Sequence, residues 1–308
     1  MRVRDLGGKQ SAAVQPVLLA APWRFGAPGP WLAPALAGLL LTAGCATLTA
    51  PTAPTGPAAL PELKSERAPG FLPTSALPNS LKLLPPPPAA GSAAFAADQA
   101  AFRETRAYRD TPRWALAASD AILSFPQAPE AFSCALDAPI TAAATPQLYT
   151  LLARSESDAG ASTGAAKNHY QRTRPFVVYN QSSCKPSDEA HLRTNGSYPS
   201  GHTTIGWTWT LILTELAPER TDPLLSRGYA FGQSRVICGV HWQSDVTAGR
   251  VLAAGVVARL HADPAFRTQV EAARAELAAV RAKGLKPTRD CQAEAAALAL
   301  PLPSTRHR

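Results

Sequence analysis

The octapeptide Gly196-Ser-Tyr-Pro-Ser-Gly-His-Thr203, followed at once by the apolar run from Ile205 to Leu216, decides how the whole chain is interpreted. Its proline and glycines are typical of a tight turn, and Ser200 is a favourable N-cap for a helix that begins at Gly201. A helix start presents free N–H groups and the positive end of a dipole, so it suits an anion. We therefore predict that His202, in the first turn, faces whatever binds there. The alternative interpretation of the octapeptide alone is a capped helix with an incidental histidine.

Three cations lie in the segments on either side of the octapeptide. Lys167 and Arg174 are separated by six residues upstream of it, and Arg235 lies downstream. Arginine presents a planar fork that matches phosphate oxygens, and lysine adds a compact charge. With the Ser200 hydroxyl and the Gly201 N–H as neutral donors, these groups predict a phosphate-binding site. The alternatives are that Lys167 and Arg174 contact the negative end of a helix, and that Arg235 is a surface residue.

A histidine and a carboxylate follow the third cation. His241 and Asp245 lie four positions apart, so on a helix they would share a face. A carboxylate in contact with an imidazole can hold it in one tautomer and stabilise its positive form, which makes the histidine a candidate nucleophile. Taken alone, the pair is more typical of a structural contact, and two ligands of a metal site are a further alternative. The joint occurrence of all three segments in this order favours catalysis.

The three segments resemble the signature of the phosphatidic acid phosphatase type 2 (PAP2) superfamily, which includes bacterial acid phosphatases and vanadium haloperoxidases. The octapeptide, and the segment Ser234-Arg-Val-Ile-Cys-Gly-Val-His-Trp-Gln-Ser-Asp245, are similar to the narrower pattern of the bacterial class A non-specific acid phosphatases. The resemblance extends over about residues 70–280, and every motif position is filled.

The resemblance implies an all-helical enzyme that needs no metal and no other cofactor. It implies that His241 attacks phosphorus and forms a phosphohistidine, that Asp245 orients and activates it, and that His202 protonates the leaving alcohol and then activates water. The implied substrates are small phosphomonoesters such as nucleotides, sugar phosphates and aryl phosphates. The residues implied to hold the phosphoryl oxygens are Lys167, Arg174, Ser200, Gly201 and Arg235.

Three other functions are compatible with parts of this pattern. A vanadium-dependent haloperoxidase could use the same anion pocket, but the octapeptide favours the phosphatase. A non-catalytic phosphate-binding protein would need the cations without the two histidines and the aspartate. A lipid phosphatase of the membrane-embedded kind would need several spanning helices, and no segment after the N-terminal region has the required apolar length.

The composition is that of a globular protein with biased segments. The chain has 308 residues, of which 46% are hydrophobic and 17% charged, and a net charge of +8. A basic chain can bind nucleic acid, but no dense Lys/Arg run or aromatic-basic alternation is present, which disfavours that class of partner.

We predict an all-α protein, a single compact helical bundle, because period-2 hydrophobic runs are few. The sequence leaves open whether it forms a homo-oligomer.

The N-terminal region has the pattern of an export signal. Basic residues precede the apolar stretch Trp31 to Leu41, which is too short for a stable membrane span and is followed by small residues. Leu41-Thr-Ala-Gly-Cys45 resembles a lipoprotein cleavage box, which predicts a lipid anchor on Cys45. An ordinary signal peptide cut near Ala46 is the alternative. We therefore expect a bacterial protein in the periplasm, or anchored to the outer membrane on its periplasmic side.

Four regions are predicted along the chain. They are an export segment (1–45), a Pro/Ala-rich tether (46–90), a helical phosphatase domain (91–285) and a C-terminal tail (286–308). We expect order from about residue 70, and the tail has little in its sequence to hold it. Within the domain, a helix from Pro223 to Gly232 and a short connector from Ser234 to Gly239 are predicted. The final predicted helix runs from Pro264 to Lys283, and Gly284 stops it.

The cysteine content fits an exported protein, in which disulfides persist. Without Cys45 four cysteines remain, which allow three pairings, and no Cys or His spacing suggests zinc. Because Cys134 and Cys184 lie near predicted loops, whereas Cys238 lies in an apolar connector, we predict a Cys134–Cys184 disulfide.

Overall fold

The structure, a computed structural model, describes residues 68–300. Within that range the chain is helical and has no β-strand, so the prediction of an all-α protein is confirmed. No helix in the same range is long and apolar enough to cross a bilayer. The α-helices are α1 Ser80–Leu83, α2 Ala93–Thr105, α3 Pro112–Ser119, α4 Gln127–Glu130, α5 Ser133–Leu136, α6 Pro146–Ser162, α7 Gly164–Tyr170, α8 Pro175–Val178, α9 Glu189–Arg193, α10 Gly201–Leu216, α11 Thr221–Ile237, α12 Gln243–Leu260, α13 Pro264–Ala282 and α14 Cys291–Leu298. Short 3-10 helices span Thr74–Ala76, Arg106–Tyr108, Pro186–Asp188 and Pro218–Arg220.

Helix α10 lies at the centre of the domain and packs against α6, α11 and α12. Its apolar residues surround it on several sides, as expected of a buried helix, and Trp209, Ile212 and Leu213 have no exposed surface. The Trp209 indole N–H donates to the Leu152 carbonyl at 2.9 Å, so its one polar atom is satisfied. Burial of each of the two aliphatic side chains contributes about 1.5–3 kcal/mol. The start of α10, which carries the octapeptide, is therefore held on a rigid core element.

Two glycines allow the neighbouring helices to approach α10 closely. A Cβ on Gly228 of α11 would lie 1.9 Å from Thr210 Oγ1. A Cβ on Gly249 of α12 would lie 2.8 Å from the Ser200 carbonyl oxygen. Because these distances leave no room for a side chain, both positions require glycine at this helix spacing. The second contact brings α12, and with it Asp245, against the first turn of α10.

Helix α11 is longer than the sequence predicts. We expected it to end at Gly232 and a connector to begin at Ser234, but the helix continues to Ile237. The predicted stop is a packing glycine, since a Cβ on Gly232 would lie 3.1 Å from Thr203 Cγ2 of α10. Arg235 consequently projects from the last turn of a helix and not from the predicted short connector.

The last part of the predicted tether lies on the domain. Phe71 and Leu72 are buried, and their N–H groups donate to the Asp158 carboxylate at 2.8 and 3.2 Å. The Arg154 guanidinium stacks over the Phe71 ring at 3.8 Å. These contacts hold the chain at residues 71 and 72 against the domain, within the region that we predicted as tether. The predicted export segment, Cys45 and the tether up to residue 67 lie outside the described residues.

The C-terminal region carries a helix where we expected a loosely held tail. Helix α14 packs against α3. Glu294 of α14 is buried, and its Oε1 lies 3.3 Å from Arg227 Nε of α11. A buried ion pair and a helix interface thus hold residues 291–298, and neither contact is visible in the local sequence.

The predicted Cys134–Cys184 disulfide is wrong. Cys134 pairs with Cys291, the first residue of α14, with 5.5 Å between the two Cα atoms. Cys184 pairs with Cys238, with 4.6 Å between the Cα atoms. The pairings follow from long-range packing: α14 returns to α5, and the end of α11 lies beside the loop after α8. The position of a cysteine near a loop does not show which distant segment packs against it, so it cannot identify the partner cysteine.

Candidate active site

A cavity of about 310 Å³ opens at the N-terminus of α10. Two of the eight predicted site residues, Ser200 and Asp245, lie directly behind it with no exposed surface. Ser200 Oγ accepts from the Thr203 N–H at 3.3 Å, so the predicted N-cap is confirmed, while its role toward phosphate stays a prediction. The other six predicted residues line the cavity: Lys167, Arg174, Gly201, His202, Arg235 and His241.

His241 lies in the turn between α11 and α12, and its partners define its tautomer. Its Nε2 lies 3.0 Å from Arg174 Nη1, and its Nδ1 lies 3.2 Å from Asp245 Oδ2. A guanidinium can only donate, so Nε2 accepts and Nδ1 carries the proton. Burial, followed by the charges of Arg174 and Lys167, lowers the pKa of His241 well below its ordinary value. The imidazole is therefore neutral, with its Nε2 lone pair on the side of the cations.

The contact between His241 and Asp245 has a different origin from the one predicted. His241 precedes α12, whose N-cap is Trp242, so the two residues do not share a helix face. Asp245 is the third residue of that helix, and its Oδ2 accepts the Trp242 N–H at 2.9 Å. The carboxylate thus caps the helix start and holds the preceding histidine with the same oxygen.

Asp245 is supported from behind by Arg172, which we did not single out in the sequence. Arg172 Nη1 donates to Asp245 Oδ1 at 2.6 Å, and its Nη2 donates to Asp98 Oδ2 at 2.8 Å. Burial raises the pKa of Asp245, and the charge of Arg172 opposes that shift. The arginine therefore favours the ionised carboxylate that His241 needs as an acceptor. Its only signal in the sequence is its position two residues before Arg174.

Asp98 completes this support from helix α2. It is 3% exposed, its Oδ1 accepts the Ser244 N–H at 2.8 Å, and its Oδ2 accepts from the Ser244 hydroxyl at 2.5 Å. Ser244 also accepts from Arg172 Nη1 at 2.7 Å. All four carboxylate oxygens of Asp245 and Asp98 thus accept hydrogen bonds, which is the condition for stable buried charges.

Arg235 is the least satisfied cation of the site. It is 1% exposed, and its Nε and Nη1 have no hydrogen-bond partner within the described part of the chain. Burial and the nearby charge of Arg174 lower its pKa to about 10. A buried guanidinium without acceptors is costly. Because it borders the cavity, an anion bound there would satisfy it.

Arg174 and Lys167 are fixed by backbone carbonyls. Arg174 Nε donates to the carbonyls of Leu192 and Asn195 at 3.0 and 3.1 Å, and burial lowers its pKa to about 10. Lys167 Nζ donates to the Gly196 carbonyl at 2.7 Å. Burial, followed by the charge of Arg174, lowers the pKa of Lys167 to about 7. Like charges held together in this way predict a strong preference for an anion.

His202 borders the cavity from the first turn of α10, as predicted. Its Nε2 lies 3.0 Å from the Ala121 carbonyl oxygen, which can only accept, so Nε2 carries a proton and Nδ1 is left for proton transfer. Burial, followed by the charge of Arg235, lowers the pKa of His202 well below its ordinary value. The histidine is therefore neutral in this surrounding of buried cations.

A second buried network stands behind His202 and Arg235. Asp120, next to Ala121, accepts from both Arg227 Nη atoms and from the Ser234 hydroxyl, the last at 2.6 Å. Arg113 Nη1 donates to Ser234 Oγ at 3.0 Å. One carboxylate thus braces the residue before Arg235 and the residue whose carbonyl orients His202.

Comparisons with known proteins agree with this arrangement. Residues 145–269 match the PAP2 superfamily, and this range contains all eight predicted site residues. A non-specific acid phosphatase of Providencia stuartii is 47% identical over 212 residues, which cover 68% of this chain and 86% of that protein. A non-specific acid phosphatase of Salmonella typhimurium is 46% identical over 65% of this chain and 80% of its own length. An acid phosphatase of Zymomonas mobilis is 43% identical over 67% of this chain and 78% of its own length.

Proposed function

Since the chain belongs to the bacterial class A non-specific acid phosphatases of the PAP2 superfamily, we propose that it hydrolyses phosphate monoesters through a phosphohistidine on His241. The observation that carries this proposal is a cavity with an unpaired buried guanidinium on Arg235 and the neutral, accepting Nε2 of His241 at its wall. An anion-binding protein needs the first group, but only a nucleophilic mechanism uses the second.

In the first step the phosphoryl oxygens replace Nε2 as acceptors for Arg174 and satisfy Arg235. The His241 Nε2 lone pair forms a bond to phosphorus as the bond to the ester oxygen breaks. The proton on Nδ1 stays hydrogen-bonded to Asp245, whose negative charge stabilises the positive imidazole ring that results. The buried cations stabilise charge on the phosphoryl group during transfer.

His202 supplies and recovers the proton. The negative phosphoryl group offsets the cations that lower the pKa of His202, so substrate binding favours its protonated form. His202 Nδ1 gives the leaving alcohol its proton in the first step. In the second step the same nitrogen takes a proton from water, the water oxygen attacks phosphorus, and the bond from phosphorus to His241 breaks to release phosphate.

A trapping experiment with two variants tests the mechanism. Rapid quenching of wild-type enzyme with labelled p-nitrophenyl phosphate should give a base-stable, acid-labile label on His241, and His241→Ala should give none. His202→Ala should accumulate the label, because p-nitrophenol leaves without protonation whereas hydrolysis lacks its base. Alkyl phosphates should be slowed by about 10²–10⁴ in the first step of that variant. Label on His202, or normal turnover by His241→Ala, would refute the assignment.

Export to the periplasm belongs to the same proposal. Two disulfides are typical of a protein that matures in an oxidising compartment. Lipidation of Cys45 is supported only by the cleavage-box pattern in the sequence. The phosphatase mechanism does not depend on it.

A further inference from the structure

His202, like His241, stands in front of a buried series of alternating charges. The series consists of Asp120, Arg227 and Glu294, which we call the α14 network because it begins on helix α14. Both Nη atoms of Arg227 donate to Asp120, and its Nε lies 3.3 Å from Glu294 Oε1. The three residues are 1%, 2% and 7% exposed. The proposed mechanism uses none of these three charges, so their burial beside the site needs another explanation.

The inner end of the α14 network adjoins the backbone that holds His202. Asp120 is the C-cap residue of α3, and the carbonyl of the next residue, Ala121, lies 3.0 Å from His202 Nε2. The Asp120 carboxylate is fixed by Arg227 and by the Ser234 hydroxyl, which donates to Oδ2 at 2.6 Å. Because the carboxylate and the carbonyl belong to adjacent residues, a shift of Asp120 would move the acceptor of His202 and turn the imidazole. The direction of Nδ1 toward the leaving group therefore depends on where Asp120 is held.

Glu294 supplies one of the two negative charges that offset two buried guanidiniums. Arg113, which is 5% exposed, and Arg227 both interact with the charge of Asp120. Burial by itself lowers the pKa of Arg227, but the charges of Asp120 and then Glu294 raise it above its ordinary value. A buried charge that loses its partner relaxes by a shift of the side chain or by entry of water. The Glu294 carboxylate thus keeps Arg227, and through it Asp120, in place.

Glu294 reaches Arg227 because α14 is fastened to the domain at its first residue. The Cys134–Cys291 disulfide ties the helix to α5, and the helix packs against α3. On the outer side, Arg289 Nη2 lies 3.2 Å from Glu294 Oε2. The carboxylate is therefore held between two guanidiniums on a helix that is covalently anchored.

We propose that Glu294 is a positioning residue for proton transfer by His202. It acts through Arg227 and Asp120 on the carbonyl group that holds the imidazole. The inference rests on the proposed phosphatase mechanism and adds to it a residue from the last helix that the structure describes. A residue that only stabilised the fold would affect all substrates alike. A displaced His202, in contrast, affects those substrates whose leaving group needs a proton.

The test compares n-propyl phosphate, whose alcohol needs a proton to leave, with p-nitrophenyl phosphate, whose phenol leaves as an anion. The quantity is the ratio of their kcat/KM values, because kcat/KM reports the steps through departure of the leaving group. Glu294→Gln keeps the shape of the side chain and removes its charge. It should lower kcat/KM for the propyl ester by about 10-fold, within the loss of about 10² that a misplacement of about 1 Å can cause. The value for the aryl ester should change by less than about threefold.

A double-mutant cycle shows whether the effect passes through His202. In the His202→Ala background, Glu294→Gln should cause no further change in the ester ratio, because the group that it positions is absent. A further selective loss for the propyl ester in that background would overturn the inference.

Glu276→Gln is the matched control, since it makes the same replacement on another helix. Glu276 of α13 accepts the N–H groups of Gln147 and Leu148 at the start of α6, both at 2.9 Å. This variant should lower the melting temperature and leave the ester ratio unchanged. Gln292→Ala, at an exposed position of α14, should change neither quantity.

The outcomes separate this inference from the proposed function. An unchanged ratio in Glu294→Gln, or an equal loss for both esters, would overturn the positioning role and leave the phosphatase mechanism intact. If His202→Ala itself left the ratio unchanged, the proposed role of His202 would fail and the inference with it. If wild-type enzyme hydrolysed neither ester, the proposed function as a whole would fail.

Discussion

Replacing Asp245 by Asn would separate the proposed catalytic role of its carboxylate from its structural role. The carboxylate has no exposed surface and accepts three hydrogen bonds, from Arg172, Trp242 and His241. Asparagine offers one oxygen and one NH₂ group. With the NH₂ toward Arg172, two donors face each other. With the NH₂ toward His241, the imidazole must move its proton from Nδ1 to Nε2 and loses the nucleophilic lone pair.

The structure allows an estimate of both effects. Loss of the correct tautomer in a serine protease lowers kcat by about 10⁴, and the same orientation geometry predicts a loss of that order here, roughly 5 kcal/mol of activation free energy. The charge-assisted bond to Arg172 at 2.6 Å contributes about 1.5–3 kcal/mol to the free energy of unfolding. We therefore expect a folded variant with a lowered melting temperature and almost no phosphohistidine formation.

Asp98→Asn is the matched control. It removes the other carboxylate of Arg172, which accepts at 2.8 Å and is 3% exposed, but it does not touch His241. Thermal unfolding should show a comparable loss of stability, whereas the single-turnover rate of His241 phosphorylation should fall by less than about tenfold, since the nucleophile keeps its tautomer. Near-normal phosphorylation in Asp245→Asn, or equal inactivation of the two folded variants, would refute this reasoning.

Three further predictions concern metal, pH and anchoring. Activity toward p-nitrophenyl phosphate should survive EDTA, because side chains alone can neutralise the phosphoryl charge; a strict requirement for an added divalent ion would contradict the mechanism. The pKa of Lys167 is about 7, so kcat/KM should fall as pH rises through that value and the lysine loses its charge. Lys167→Arg keeps the charge and should move this alkaline limb upward, and an unmoved limb would exclude Lys167 as its cause. If Cys45 is lipidated, the protein should incorporate a fatty-acid probe and Cys45→Ser should release it from membranes; a soluble wild-type form that begins after another residue would contradict the lipoprotein prediction alone.

Lys167 also contributes to the way in which the free energy of unfolding changes with pH. Its pKa in the folded protein lies below the ordinary value, so between about pH 7 and 10 the unfolded chain binds more protons than the folded one. Burial of the charged Lys167 therefore lowers the free energy of unfolding at acid pH. This cost disappears as pH rises from about 7 to 10 and the folded protein loses the proton. Inorganic phosphate, which pairs with the charged form, should accordingly raise the melting temperature more at pH 5 than at pH 9.

Local sequence patterns placed some residues of the site and missed others. His202 and Ser200 could be placed at a helix start because capping depends on neighbours within three positions. The contact between His241 and Asp245 was expected for the wrong reason. Residues four positions apart meet on one face of a helix, but they also meet where the later residue caps the helix start and the earlier one precedes it. Arg172 passed unnoticed because its partners Asp98 and Asp245 lie 74 and 73 positions away, so no local pattern links them.

The sequence by itself determined the all-helical class, the start of α10 and the set of eight residues that line the cavity or lie buried behind it. These features rest on short-range physics, in which caps, turns and the period of apolar residues act over a few positions. Only the tertiary structure decided the Cys134–Cys291 and Cys184–Cys238 pairs, the length of α11 and the support of Asp245 by Arg172 and Asp98. Each of these depends on which distant segments share a core, and that is set by packing of the whole chain and not by any one stretch of it.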